Sequence, residues 1–170
     1  KSCGVSSKFF KKLYFRLTKH SMNSIDTYKA NNLKGIDVRQ IFFEKKDSIR
    51  IIDPGKLSKG FIEIDLARFI VTCRILYWGT FKIFFKKTPN KSYENSFLKG
   101  YFETTNHQNI KLNILIIKEY LKQWKITHEA LLKRKWPYFF KFVIKRLYID
   151  PFYKKLILEE LVSFELNISK

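Results

Sequence analysis

Ile41-Phe42-Phe43 and Ile49-Arg50-Ile51-Ile52-Asp53-Pro54-Gly55, separated by Glu44-Lys45-Lys46-Asp47-Ser48, form the stretch on which the fold reading turns. Both apolar runs are short and rich in β-branched and aromatic residues, and the charged segment between them is turn-like, so together they predict a β-hairpin. Pro54 removes a backbone donor and Gly55 permits a sharp reversal, which stops the second strand and leaves Asp53 at its end. Upstream, Leu33-Lys34-Gly35-Ile36-Asp37 reads as a tight turn, reached through a polar stretch from His20 to Asn32 that favours neither helix nor strand. Two aspartates, Asp37 and Asp53, therefore bracket the hairpin, with Gln40 entering its first strand.

Outside this stretch the periodicity is helical. Phe9, Phe10, Leu13, Tyr14 and Leu17 recur at helical spacing among lysines, which predicts an amphipathic helix over Ser7–Lys19. After a loop at Lys56–Gly60, apolar residues from Phe61 to about Trp78 (Ile64, Ala67, Phe69, Ile70, Val71, Ile75, Leu76) surround most of a helical circumference, as in a buried central helix. Gly79 and Thr80 are expected to close it, and Tyr93 to Phe102 to form a shorter helix. Ile110, Ile114, Ile117, Leu121 and Trp124 lay one apolar stripe along a helix reaching about Lys133, too few heptads for a coiled coil. Pro137 lies early in a further helix containing Phe139, Phe140, Phe142, Val143 and Leu147. Pro151 opens a last one through Leu156, Ile157, Leu161 and Val162, with Asp150 as its N-cap. The expected class is mainly α (α+β), one domain over residues 1–170: a leading helix and loop at 1–32, a site strip at 33–60, and a helical part at 61–170.

Composition bounds the function. The 170 residues are 45% hydrophobic and 17% aromatic, enough to fill one core. The formal charge of +19 is compatible with a phosphate-bearing, nucleic-acid or anionic-membrane partner. The cations are mostly lysines scattered along the chain, however, which reads first as a solvated surface. Cys3 and Cys73 are far apart, and His20, His107 and His128 lack ligand spacing, so neither a disulfide framework nor a zinc site is expected, and a reducing, cytoplasmic setting fits. Arg74 and Lys118 interrupt the two most apolar stretches, so any membrane contact is expected to be peripheral. The six glycines are isolated, which excludes a self-contained P-loop or dinucleotide-type site. The first residue is Lys1, consistent with a piece of a longer protein.

Phosphoryl transfer needs one carboxylate to orient an acceptor hydroxyl and another to hold magnesium on the nucleotide phosphates. Along the chain come Asp37, Gln40, a strand, a turn, a strand and Asp53, so two carboxylates bracket the hairpin. The strip resembles the catalytic loop and Asp-Phe-Gly segment of the protein-kinase-like superfamily. It is most similar to the aminoglycoside phosphotransferase and choline-kinase-like branch, through Glu63-Ile64-Asp65-Leu66-Ala67-Arg68-Phe69 and Phe97-Leu98-Lys99-Gly100-Tyr101. Gly35-Ile36-Asp37 stands where that branch has His-x-Asp, Gln40 follows Asp37 more closely than the usual Asn does, and no Gly-rich loop or Ala-x-Lys strand precedes the strip. The resemblance implies the helical C-terminal lobe of a kinase-like fold, using ATP and Mg2+ to phosphorylate a hydroxyl of a small molecule, sugar or lipid-linked acceptor. Asp37 would be catalytic, Asp53 and Gln40 would bind metal and nucleotide, and Asp65 with Arg68 would brace the loop.

The competing reading is a non-catalytic basic module that docks on anionic membrane or nucleic acid through Lys133-Arg134-Lys135-Trp136 and Lys141 to Arg146. Against it, the aromatics of this region fall mostly at core-like helical positions. Arg68 and Arg74, on the most apolar helix, must pair or snorkel.

Overall fold

A computed structural model describes residues 7–19, 29–34, 40–43, 49–52, 56–84, 94–95, 98–100 and 110–168. The described chain is mostly helical. Helix α1 spans Ser7–Lys19, α2 Ile62–Phe84, α3 Ile110–Lys133, α4 Tyr138–Ile144 and α5 Asp150–Ile168, with a π-helical turn at Lys145–Ile149 joining the last two. Four short strands lie between α1 and α2: β1 (Lys29–Lys34), β2 (Ile41–Phe43), β3 (Ile49–Ile51) and β4 (Lys56–Phe61).

Helix α3 packs against both α2 and α5. Its buried side chains are Leu112, Ile116, Ile117, Tyr120, Trp124, His128 and Leu131, so the buried arc is centred on the 112–116–120–124 row. Of the expected stripe, Ile117 and Trp124 belong to this arc, and Ile114 and Leu121 lie beside it, half-buried. With a helix on each side, α3 buries a wider arc than one apolar stripe, and that arc takes in the polar tips of Tyr120 and His128.

Helix α2 departs from its expected all-round burial. Glu63, Leu66, Ala67, Ile70, Val71 and Arg74 are buried along one stripe and Thr72 on the opposite side, while Ile64 is exposed and Phe69 only half-buried. The helix also runs through Gly79 and Thr80 to Phe84. An interior glycine costs about 1 kcal/mol relative to alanine, too little to end a helix held by packing. Of the helix expected at Tyr93–Phe102, residues 94, 95 and 98–100 are helical and the others lie outside the described set.

Asp150 is not an N-cap. Its φ and ψ of −63° and −45° are helical, and its N–H donates to the carbonyl of Lys145, five residues back. The chain is therefore one continuous helix from Tyr138 to Ile168, and the helix start lies at Pro137 (φ −54°, ψ 145°). A proline inside an α-helix clashes with the carbonyl four residues earlier; the wider π turn immediately before Pro151 supplies the room. The core formed by these helices closes on Tyr120, Tyr153, Phe164, Ile70, Ile117, Ile157, Leu161 and Val71, all essentially inaccessible to solvent. Val162, expected in that core, is half exposed.

The hairpin expected from the sequence is present as β2 and β3, with Ile41 opposite Ile51 and Phe43 opposite Ile49. A second antiparallel pair was not expected: β1 and β4 align Lys29 with Phe61 and Lys34 with Lys56. The supposed turn at Leu33-Lys34 and the supposed loop at Lys56–Gly60 are strand residues. Neither KANNLK nor KLSKGF has much β propensity, so each becomes a strand only because the other lies beside it.

Candidate functional site

Strand β4 runs directly into α2, and this junction anchors the candidate strip on the helical core. The first turn of α2 carries Glu63 and Asp65, both favourably placed at the positive end of the helix dipole. Glu63 is buried; Asp65 and Arg68 are half-buried, and among the described residues the Arg68 Nε has no hydrogen-bond partner. Gln40 is half-buried beside the hairpin, and its carbonyl accepts a 2.8 Å hydrogen bond from the Ile52 N–H, which extends the β2–β3 pairing by one step. Asp37 and Asp53 lie outside the described residues.

The described residues that flank these two aspartates are nonetheless paired on both sides. Segment 35–39, which contains Asp37, runs from Lys34 to Gln40; segment 53–55, which begins with Asp53, runs from Ile52 to Lys56. Lys34 is aligned with Lys56, and Gln40 is bonded to Ile52. Four peptide steps separate Ile52 from Lys56, so the two ladders end within about 14 Å of each other. Among the described residues, no three His, Cys, Asp or Glu side chains converge as a metal-binding group.

A second polar constellation lies inside the helical core. The guanidinium of Arg74, 7% exposed, donates from Nε to Glu94 Oε2 (2.6 Å) and from Nη2 to Glu94 Oε1 (2.5 Å). Its Nη1 donates to Glu160 Oε2 (2.8 Å) and to the Tyr120 hydroxyl (2.9 Å), and Asn113 Nδ2 completes Glu160 at Oε1 (2.5 Å). Burial alone would lower the Arg74 pKa; the Tyr120 phenol and the two carboxylates outweigh it and hold the cation above its ordinary value. Burial pushes the Tyr120 phenol up, with Arg74 opposing. Arg74 thus pairs, as an arginine on an apolar helix must. The sequence signal for its partner was Glu160, the second acid between Ile157 and Leu161 on the buried row of α5.

The third constellation joins α3 to the start of α5. Trp124 Nε1 donates to Asp150 Oδ1 at 3.0 Å, and its ring stacks on Tyr153 with centroids 5.8 Å apart. His128 Nε2 is 3.5 Å from the same carboxylate oxygen, too far for a hydrogen bond. Burial lowers the His128 pKa, Lys145 lowers it further, and Asp150 opposes both. Thr127 Oγ1 donates to the Gln123 carbonyl (2.8 Å), so the Tyr153 hydroxyl is the donor in its 2.8 Å bond to Thr127.

These inward networks absorb acids. Asp150 and Glu160 are buried, and Glu165 is held by Arg16 of α1, whose Nε donates to Glu165 Oε1 at 2.6 Å. Comparison with protein-family models, curated proteins and solved structures found no match to this chain.

Proposed function

We propose that the chain is the C-terminal lobe of a kinase-like phosphotransferase that transfers the γ-phosphate of ATP to a hydroxyl of a small, sugar or lipid-linked acceptor. The observation that supports it is the double pairing around the two aspartate-bearing segments, Lys34 with Lys56 and Gln40 with Ile52. In this reading Asp37 and Asp53, each in a segment that joins one ladder to the other, act at one site. Asp37 orients the acceptor hydroxyl and takes its proton, while Asp53 and Gln40 offer carboxylate and amide oxygens. That donor set suits magnesium, which takes few protein oxygens and keeps several waters. ATP bound with magnesium supplies the phosphoryl group. Asp65 and Arg68, near the start of α2, brace the strip from the helical side. The use of ATP fits a cytoplasmic setting.

The test is magnesium-dependent ATP binding by calorimetry, on the chain and on Asp53→Asn and Asp37→Asn. The proposal expects binding that requires magnesium, is abolished by Asp53→Asn, and survives Asp37→Asn. Binding indifferent to Asp53→Asn, or no binding at all, overturns it. Where binding is found, transfer from labelled ATP to sugar and lipid-headgroup alcohols, lost in Asp37→Asn, identifies the acceptor class.

A further inference from the structure

The stretch from Ala130 to Ile149 contains Lys133, Arg134, Lys135, Lys141, Lys145 and Arg146 and no acidic residue. It also contains Trp136, Tyr138, Phe139, Phe140, Phe142 and Tyr148. The sequence pattern puts these aromatics at core-like positions, yet α4 buries none of its residues. Tyr138 is 80% exposed, Phe139 69% and Phe140 56%, and Leu132, Trp136, Phe142 and Leu147 are exposed as well. Among the described elements, α4 packs mainly on the π turn that follows it, whereas α5 supplies the core contacts.

Cations and rings are interleaved on this stretch. The Arg134 guanidinium sits 6.0 Å from the Trp136 ring centroid and that of Arg146 5.7 Å from the Phe142 centroid. Lys141 Nζ donates to the Leu132 carbonyl (3.0 Å), which ties the helix to the end of α3. Among the described residues no helix is long and apolar enough to cross a membrane. An exposed cluster of large apolar side chains on a monomer marks a docking surface. Aromatic rings among lysines and arginines, without an acid, match the boundary between lipid headgroups and acyl chains, where rings partition and cations meet anionic phosphates.

We propose that the Leu132–Leu147 stretch docks the protein on an anionic lipid surface, with Trp136, Tyr138, Phe139 and Phe140 entering the headgroup boundary and Arg134, Lys135 and Arg146 binding lipid phosphates. The surface is peripheral and stands independently of the phosphotransferase reading. It orients the rest of the chain relative to the bilayer.

The experiment is co-sedimentation of the full chain with vesicles of phosphatidylcholine alone and of phosphatidylcholine with phosphatidylglycerol, across a salt series. The expected result is partition that requires phosphatidylglycerol and a blue shift of Trp136 emission that the Trp136→Phe variant lacks. Partition should fall at least about tenfold in Phe139→Ser/Phe140→Ser. It should fall about fivefold for each of Arg134, Lys135 and Arg146 changed to Gln. These side chains are exposed, so the variants keep the wild-type circular dichroism. Equal partition of wild type and Phe139→Ser/Phe140→Ser overturns the proposal. So does absence of vesicle binding, whether accompanied by binding of single-stranded RNA that the charge variants abolish or by self-association that the phenylalanine variants abolish.

Discussion

Arg74→Met removes a cation hydrogen-bonded to Glu160, a carboxylate 3% exposed, and one that also holds Glu94. A methionine fills much of the same volume, so the loss is electrostatic and not a cavity. Breaking a buried pair by removing one member costs about 3–5 kcal/mol, because the remaining charge is left desolvated. A domain of this size has a total stability of about 5–15 kcal/mol, so the variant loses a large share of it. At roughly 2–4 °C per kcal/mol, the melting temperature drops by about 6–20 °C. Glu160→Gln keeps the acceptor for Asn113 and neutralises the partner. In the double variant the leftover charge at Glu160 is gone, so the two single costs do not add. Urea denaturation of wild type, both singles and the double gives the coupling directly. We expect at least about 2 kcal/mol of coupling. Additivity within about 0.5 kcal/mol would refute the reasoning, since it would mean that Arg74 and Glu160 do not act on each other.

Burial and Lys145 lower the His128 pKa below its ordinary value. With the folded pKa depressed, the stability contribution is present above the unfolded value of about 6.5 and is lost as pH falls through the folded value. His128→Gln should therefore flatten the loss of stability seen by urea denaturation between neutral and mildly acidic pH; an unchanged slope would show that His128 is not its source. Burial pushes the Tyr153 phenol up to about 12. Alkaline difference spectroscopy should show one tyrosine ionising there that Tyr153→Phe removes, and the variant should lose about 0.5–1.5 kcal/mol with its hydrogen bond to Thr127. Leu161→Ala, at a position with no solvent access, should cost about 2–5 kcal/mol, and a loss under about 1 would mean that the core does not close on α5.

The sequence by itself determined the helices that carry their own apolar period: Ser7–Lys19 and Ile110–Lys133 match the expected bounds, and Ile41–Phe43 pairs with Ile49–Ile51 as its β-branched and aromatic residues predict. Those features are local, set by side chains within one element and one turn. It also required that Arg74 find a partner, without naming which. Only the tertiary structure decided that Glu94, Glu160 and Tyr120 meet it, because α2, α3, α5 and the separate 94–95 segment are brought together by packing and not by sequence proximity. The β1–β4 pairing belongs to the same class, since two weak strands gain their hydrogen bonds from each other and from no local preference. Asp150 shows the limit most directly. Asp-Pro is a strong local signal for a helix start, yet a π turn five residues long carries the helix through it, and the carboxylate faces Trp124 instead of its own backbone. Whether the aromatics of α4 are core or surface was likewise undecidable from periodicity, which defines a face but not what lies against it. Their exposure follows from what packs on α4, which among the described elements is chiefly the π turn.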